Sequence, residues 1–258
     1  MKIAISGKGG VGKTTVCALL CRELAHRGYS VLAVDADPDA NLATALGFPD
    51  AGGIRPIVEI KELVKERAGA GGGLVKLNPR VDDIPDTHSV THDGIKLMVM
   101  GGVKRAGGGC ACPANVLLRE LLNHILTESR EVVIADMEAG IEHLGRATAE
   151  SVDVLLIVVE PSLLSVQSAE RISRMAGELK IHKIAALVNK AGAREETAAI
   201  VKMLKPLECI GALPYSDTLR NAWLTAGADG KDPLLEKAVS DIADSILKSG
   251  IKDYNGKH

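Results

Sequence analysis

Apolar residues along the chain fall into two alternating patterns. Short β-branched runs are Lys2–Ile5, Val31–Val34, Ile95–Met100, Val132–Ala135, Val154–Val159, Ile184–Val188 and Ile210–Leu213, several of them apolar on consecutive positions. Such runs read as strands buried on both faces, the mark of a parallel sheet covered by helices. Between them, apolar residues recur at helical spacing over Lys13–Arg27, Ala114–Glu128, Leu163–Leu179, Glu195–Leu204 and Leu234–Leu247. Pro233 suits the first turn of the last of these. The alternation predicts one α/β domain over residues 1–258, a doubly wound, mostly parallel sheet flanked by helices. Two stretches break the rhythm. Phe48 to Gly94 is rich in Gly, Pro and charge, with one helical pattern at Ile60–Arg67, and reads as an insertion over the carboxyl edge of the sheet. Gly101 to Gly109 is a glycine-rich loop directly after a strand.

Composition narrows the possibilities. Hydrophobic residues make up 46% of the 258 and charged residues 25%, ordinary values for a globular chain. Aromatic residues are only 2%, which argues against a stacking platform for single-stranded nucleic acid. The net charge of −2 gives no global field for DNA or an anionic membrane, so neither is expected as a partner. No apolar run approaches the roughly 20 residues of a membrane span. The chain opens directly on a strand-like run without a charged and then apolar leader, and a cytoplasmic location is the expectation. The 5 cysteines are scattered and suit a reducing compartment.

The first strand leads into Ser6-Gly7-Lys8-Gly9-Gly10-Val11-Gly12-Lys13-Thr14-Thr15, which holds the phosphate-loop pattern G-x-x-x-x-G-K-T between a strand and a helix. Glycines let backbone N–H groups turn toward phosphate oxygens, and the helix adds the positive end of its dipole. Lys13 is expected to reach the β- and γ-phosphates, and the Thr14 hydroxyl to ligate Mg²⁺. The pattern defines a P-loop NTPase. Lys8, within the loop, gives K-G-G-V-G-K-T-T, which resembles the two-lysine Walker motif of the nitrogenase iron protein and the Min and Par positioning ATPases. That resemblance implies an ATP-hydrolysing homodimer in which Lys8 crosses to the partner's nucleotide. A cation so placed acts like an arginine finger, worth on the order of 10³–10⁵ in rate.

Two acidic segments follow. Asp35-Ala36-Asp37-Pro38-Asp39-Ala40-Asn41-Leu42 lies at the carboxyl end of the second strand, where ligands bind in open α/β sheets. It resembles the first switch of these ATPases, and the resemblance makes Asp37 the residue that orients or deprotonates the attacking water. Asp39 answers either to the γ-phosphate or to the following helix as its cap. Val132 to Asp136 is a buried strand ending in an acid, the Walker B pattern in which Asp136 holds Mg²⁺. Gly140, four residues on, suits a second switch. Asn189, at the end of Ala186-Leu187-Val188-Asn189-Lys190, either reads the purine edge or simply ends a strand. Gly211-Ala212-Leu213-Pro214-Tyr215 resembles the base-flanking loop of the same family. The guanine-reading acid two positions beyond Lys190 is absent, since Gly192 stands there, so ATP is expected over GTP.

Cys110-Ala111-Cys112-Pro113 precedes a long amphipathic helix, with Pro113 suited to its first position. Cys112 then sits where the helix dipole favours thiolate. Two thiolates are too few for a closed site. A dimer axis through this loop would bring four together, matching tetrahedral coordination of Zn²⁺ or Ni²⁺ at about 2.3 Å, and Cu⁺ or an iron–sulfur cluster would also suit soft donors. Cys17, Cys21 and Cys209 read as core, and His143 as a solvated helix residue.

Taken together, these motifs look like the carbon monoxide dehydrogenase maturation ATPases. The likeness also draws on Val81-Asp82-Asp83-Ile84-Pro85, on Gly94 to Gly102 and on Asp136 to Arg146. It implies nickel handling: a homodimer that uses ATP to help load nickel into the cluster of carbon monoxide dehydrogenase, alone or within an acetyl-CoA synthase complex. The nitrogenase iron protein places a second cluster cysteine just beyond the Walker B acid, and Asp136 to His143 contains none. An iron–sulfur scaffold and a Min- or Par-type positioning ATPase remain the other readings. The apolar residues Leu235, Val239, Ile242 and Ile246 of the last helix are expected to face the sheet rather than a membrane.

Overall fold

The computed structural model describes residues 1–69, 75–101, 113–129, 131–138, 141, 146–225 and 232–250. Eight strands form one sheet: β1 Lys2–Gly7, β2 Val31–Ala36, β3 Val90–His92, β4 Ile95–Val99, β5 Val132–Met137, β6 Val154–Val159, β7 Ile184–Ala191 and β8 Glu208–Pro214. Their spatial order is β3-β4-β2-β5-β1-β6-β7-β8. All neighbours pair in parallel except β3, which runs antiparallel to β4 at the edge. The seven runs read as strands from consecutive apolar residues are all strands here, and β1, β5 and β6 are buried along their whole length.

The helices are α1 Lys13–His26, α2 Leu42–Ala45, α3 Lys61–Ala68, α4 Ile84–Thr87, α5 Pro113–Glu128, α6 Arg146–Glu150, α7 Leu163–Glu178, α8 Arg194–Met203, α9 Asp217–Thr225 and α10 Pro233–Gly250. They cover both faces and bury two separate cores. One holds Leu117 and Leu121 of α5, Ile172 of α7 and Ile200 of α8 against Leu32 and Val34. The other holds Leu20 and Leu24 of α1 and Val239 and Ile242 of α10 against Ile3, Ile5 and Ala33. Strand residues thus alternate between the two cores, as a sheet buried on both sides requires. Truncating a fully buried residue such as Leu121 to Ala would cost about 2–5 kcal/mol.

Local chemistry sets the helix starts. Ser162 is extended, and its hydroxyl accepts from Ser165 N at 3.2 Å to cap α7. Asp232 does the same for α10, its carboxylate accepting from Leu235 N at 3.2 Å, with Pro233 opening the helix. Pro113 likewise opens α5. The apolar face of α10 is spent on the sheet: Leu235, Val239, Ile242 and Ile246 are all buried. Among the described residues no helix is long and apolar enough to cross a membrane.

The insertion differs from expectation in one respect. It does meet the carboxyl end of β4, where Val58 N donates to Met100 O at 3.3 Å. It also contributes β3 as an additional edge strand and α3, whose Arg67 makes a two-pronged ion pair with Asp83 at 2.7 Å per contact. Strand β3 has only three residues, two of them exposed, so it carries no apolar run to read.

Candidate functional site

The chain runs from β1 to one side of the sheet, returns through β5, and continues to the other side through β6. The crevice at such a reversal lies beyond the carboxyl ends of the strands. Here the ends of β1, β2 and β5 supply the phosphate loop, the Asp35 segment and Asp136.

The phosphate loop needs its glycines. Gly10 and Gly12 have φ of 84° and 91°, left-handed values that side chains disfavour. A Cβ on Gly12 would strike the Asn189 side-chain amide, and one on Gly7 would strike the Val158 carbonyl, whereas positions 9 and 10 face open space. Gly12 caps α1 without any side-chain hydrogen bond, and no acid stands in its first turn. The leading N–H groups of α1 therefore need an outside partner, and the dipole makes an anion the favoured one. Lys13 is 7% exposed, Val11 is buried, and Lys8 is half-buried.

A cavity of about 490 Å³ opens over the loop, within the range of small-molecule sites. Gly9, Gly10, Gly12, Lys13, Thr14 and Thr15 line one wall, and Asp37, Asp39, Asn41 and Thr44 the other. The structure thus brings the phosphate loop and the expected switch acid together.

Asp136 is 1% exposed, and among the described residues neither carboxylate oxygen has a hydrogen-bond partner. Burial drives its pKa up to about 7. The Thr14 hydroxyl, near enough to act without closing a full hydrogen bond, and Lys13 pull it back, while Asp35 and Asp37 push it further up. Orphaned acceptors on a buried acid are costly unless a cation or proton meets them. With the Thr14 hydroxyl close by, this donor set fits Mg²⁺, which takes hard oxygen ligands.

Asp35 has a task that sequence reasoning missed. It is fully buried, and burial raises its pKa to about 6. Its carboxylate accepts from Leu42 N at 2.8 Å and from Asp37 N at 3.3 Å. Asp35, not Asp39, therefore caps α2, and it ties the whole switch segment to the strand end. Asp39 instead donates its backbone N–H to Asp37 Oδ1 at 3.0 Å, a turn that aspartate side chains form readily. The D-x-D spacing carried the signal, since the first acid of the pair ends a wholly buried strand.

Asn189 is buried, and its amide donates to Val11 O at 2.8 Å, so it braces the phosphate loop from below. Pro214 ends β8 beside Ala191, and Tyr215 beyond it is half exposed. Neither Asn189 nor Pro214 lines the cavity. Cys17 and Cys21 are buried in the core under α1, and Cys209 is partly buried against the core on the opposite face of the sheet. Cys110, Cys112, Gly140 and His143 lie outside the described residues.

A phosphate loop at a sheet reversal, a buried acid beside its threonine and an acidic switch across the cavity define a P-loop ATPase. Residues 2–226 match the family model described as the CobQ/CobB/MinD/ParA nucleotide binding domain, and the chain belongs to that family. It is 46% identical over 227 residues to the carbon monoxide dehydrogenase accessory protein CooC of Rhodospirillum rubrum, covering 86% of each chain. It is 39% identical over 254 residues to an uncharacterized ATP-binding protein of Methanocaldococcus jannaschii, covering 96% of this chain and 98% of that one. Among solved structures, the MinD cell division protein of Aquifex aeolicus, in complex with MinC, matches with a TM-score of 0.69 at 22% identity over 96% of both chains. The MinD of Pyrococcus horikoshii complexed with Mg-ADP matches with a TM-score of 0.67 at 19% identity over 95% of both. These two likenesses concern the fold, and bear out the doubly wound sheet read from the sequence.

Proposed function

We propose that this protein is a homodimeric Mg-ATP-hydrolysing metallochaperone that assists nickel insertion into the active-site cluster of carbon monoxide dehydrogenase. The observation that carries the reading is the 46% identity, over 86% of both chains, to the dehydrogenase accessory protein. The site supports the ATPase half. The amides of Gly9 to Thr15 and Lys13 would bind the β- and γ-phosphates, and Lys8 would reach the partner's nucleotide. Thr14 and Asp136 would hold Mg²⁺, which when bound draws charge from the phosphate oxygens. Asp37 would orient the attacking water, and Pro214, at the end of β8, would flank the base, while Asn189, spent on Val11 O, would brace the phosphate loop instead. Cys110 and Cys112 of two copies would together hold one Ni²⁺ or Zn²⁺, the cargo or its stand-in.

The reading as one ATPase domain over 1–258 belongs to this proposal. An iron–sulfur scaffold shares the paired cysteines and would show as iron and sulfide in anaerobically purified protein. The burial of the apolar face of α10 gives no support to a Min-type membrane helix.

The direct test is activation of nickel-free carbon monoxide dehydrogenase with limiting Ni²⁺, this protein and ATP. Activation should need both the protein and hydrolysable ATP, and should fail with Lys13→Ala. Equal activation without the protein would reject the maturation role.

A further inference from the structure

The β7 strand is irregular where it reaches the site. Val188 pairs with Ala212 and Ala191 with Pro214, so Asn189 and Lys190 together oppose the single residue Leu213 of β8. That is a β-bulge, a device that re-aims side chains near active sites. In a regular strand two successive side chains point to opposite faces. Here both reach the phosphate loop: Asn189 Nδ2 donates to Val11 O at 2.8 Å, and Lys190 Nζ donates to Gly10 O at 2.7 Å.

Two further observations point the same way. Lys190 has φ 56°, a left-handed conformation in which glycine would sit at ease and a residue with a Cβ is disfavoured. Glu160, the first residue after β6, pairs with Lys190 Nζ at 3.0 Å and so holds the ammonium over the loop. The loop is thereby gripped from β7, backed by Glu160 at the end of β6, and neither strand contributes to the loop.

Peptide planarity gives this grip a consequence. The N–H of a peptide points away from its C=O. Anchoring Gly10 O and Val11 O sets the planes of the Gly10–Val11 and Val11–Gly12 peptides: the first sends its N–H back to Lys8 O at 3.4 Å, closing the turn of the loop, and the second turns the Gly12 N–H away from Asn189. Gly10 and Gly12 are both walls of the cavity. We propose that Asn189 and Lys190, with Glu160 as counter-ion, form a clamp that presets the phosphate loop for a triphosphate, and that all three are positioning residues for the ATPase reaction. The clamp acts on the polyphosphate and is indifferent to the base. It rests on this loop being the triphosphate site.

The test is calorimetric binding of Mg-ATP, Mg-GTP and inorganic tripolyphosphate, with thermal melts taken without ligand. Lys190→Gly should lose about tenfold or more in affinity for all three probes, the scale of a charged hydrogen bond, yet melt no lower than the parent because glycine accepts the bulge conformation. Lys190→Arg, which keeps a cation, should recover part of that affinity. Glu160→Gln should weaken binding severalfold in the parent and add nothing in Lys190→Gly. Parental affinity in Lys190→Gly, or a loss confined to the nucleotides with tripolyphosphate unchanged, would overturn the clamp. If Lys190→Gly melts far lower, the strain argument fails, and parental binding by Glu160→Gln would then dispose of the clamp as well. A parent protein that binds none of the three probes removes the triphosphate site itself, which sets that failure apart from a failure of the clamp.

Discussion

Asp35 and Asp136 are register partners at the carboxyl ends of the adjacent parallel strands β2 and β5, and both are buried. Burial raises the ionisation cost of both; Asp35 and Asp37 add to that of Asp136, and Asp37 adds to that of Asp35, so the crevice holds acids that resist charging without a cation.

That relationship sets a pH dependence. Both carboxyls titrate higher in the folded protein, at about 6 and about 7, than their ordinary 3.8. Between about pH 4 and 7 the folded state therefore holds more protons than the unfolded one, and stability from these groups falls as pH rises. The nucleotide-free protein should melt lower at pH 8 than at pH 5 in the absence of divalent cations. Added Mg²⁺ with ADP should raise the melting temperature more at pH 8 than at pH 5. Equal increments at the two pH values would contradict the placement of the cation against Asp136.

Asp136→Asn removes the charge without changing the shape. In the metal-free state at pH 8 this variant should melt higher than the parent, because the buried acid no longer has to ionise. Turnover of Mg-ATP should drop by about 10² or more, as for loss of a preorganised electrostatic contact. A variant that is both less stable and fully active would assign Asp136 a purely structural place.

Lys8→Ala should retain the fold and much of the affinity for ATP, because Lys13 and the loop amides still surround the phosphates. Its turnover should fall by about 10³ if Lys8 serves as a cation in trans. Steady-state phosphate release at saturating ATP measures this, and a parental rate would end the trans-lysine assignment.

Asp37→Asn should bind ATP and fail to cleave it, holding the two copies together. Sizing chromatography in Mg-ATP would show a persistent dimer. A monomer that binds ATP normally would count against Asp37 as the residue that positions water.

Much of this was legible in the chain, for identifiable reasons. Strands buried on both faces leave consecutive apolar runs, so seven of the eight described strands were read, and the phosphate loop declares itself by glycine spacing. The three-residue β3 has two exposed positions and left no such trace. The place of Asp35 at a strand end is plain from the sequence, but its hydrogen-bond partner is not, because that partner lies seven residues on. Beyond Ala36 the backbone leaves the strand, and Asp35 turns to Leu42 N. Glu160 and Lys190 lie 30 residues apart, and only the parallel pairing of β6 with β7 brings them together. The bulge that aims Lys190 depends on the partner strand β8, which local spacing does not encode.

If ATP and a bridging metal act on one dimer, the metal content of anaerobic protein must respond to nucleotide. Equilibrium dialysis against Ni²⁺ or Zn²⁺, with and without a slowly hydrolysed ATP analogue, gives both the stoichiometry and the coupling. The expected result is one ion per dimer, lost in Cys110→Ser and in Cys112→Ser while ATP binding survives, with an affinity that shifts when nucleotide is present. Linkage requires the metal to shift ATP affinity by the same factor. Stoichiometric metal binding by both serine variants, or an affinity unmoved by nucleotide, would contradict it.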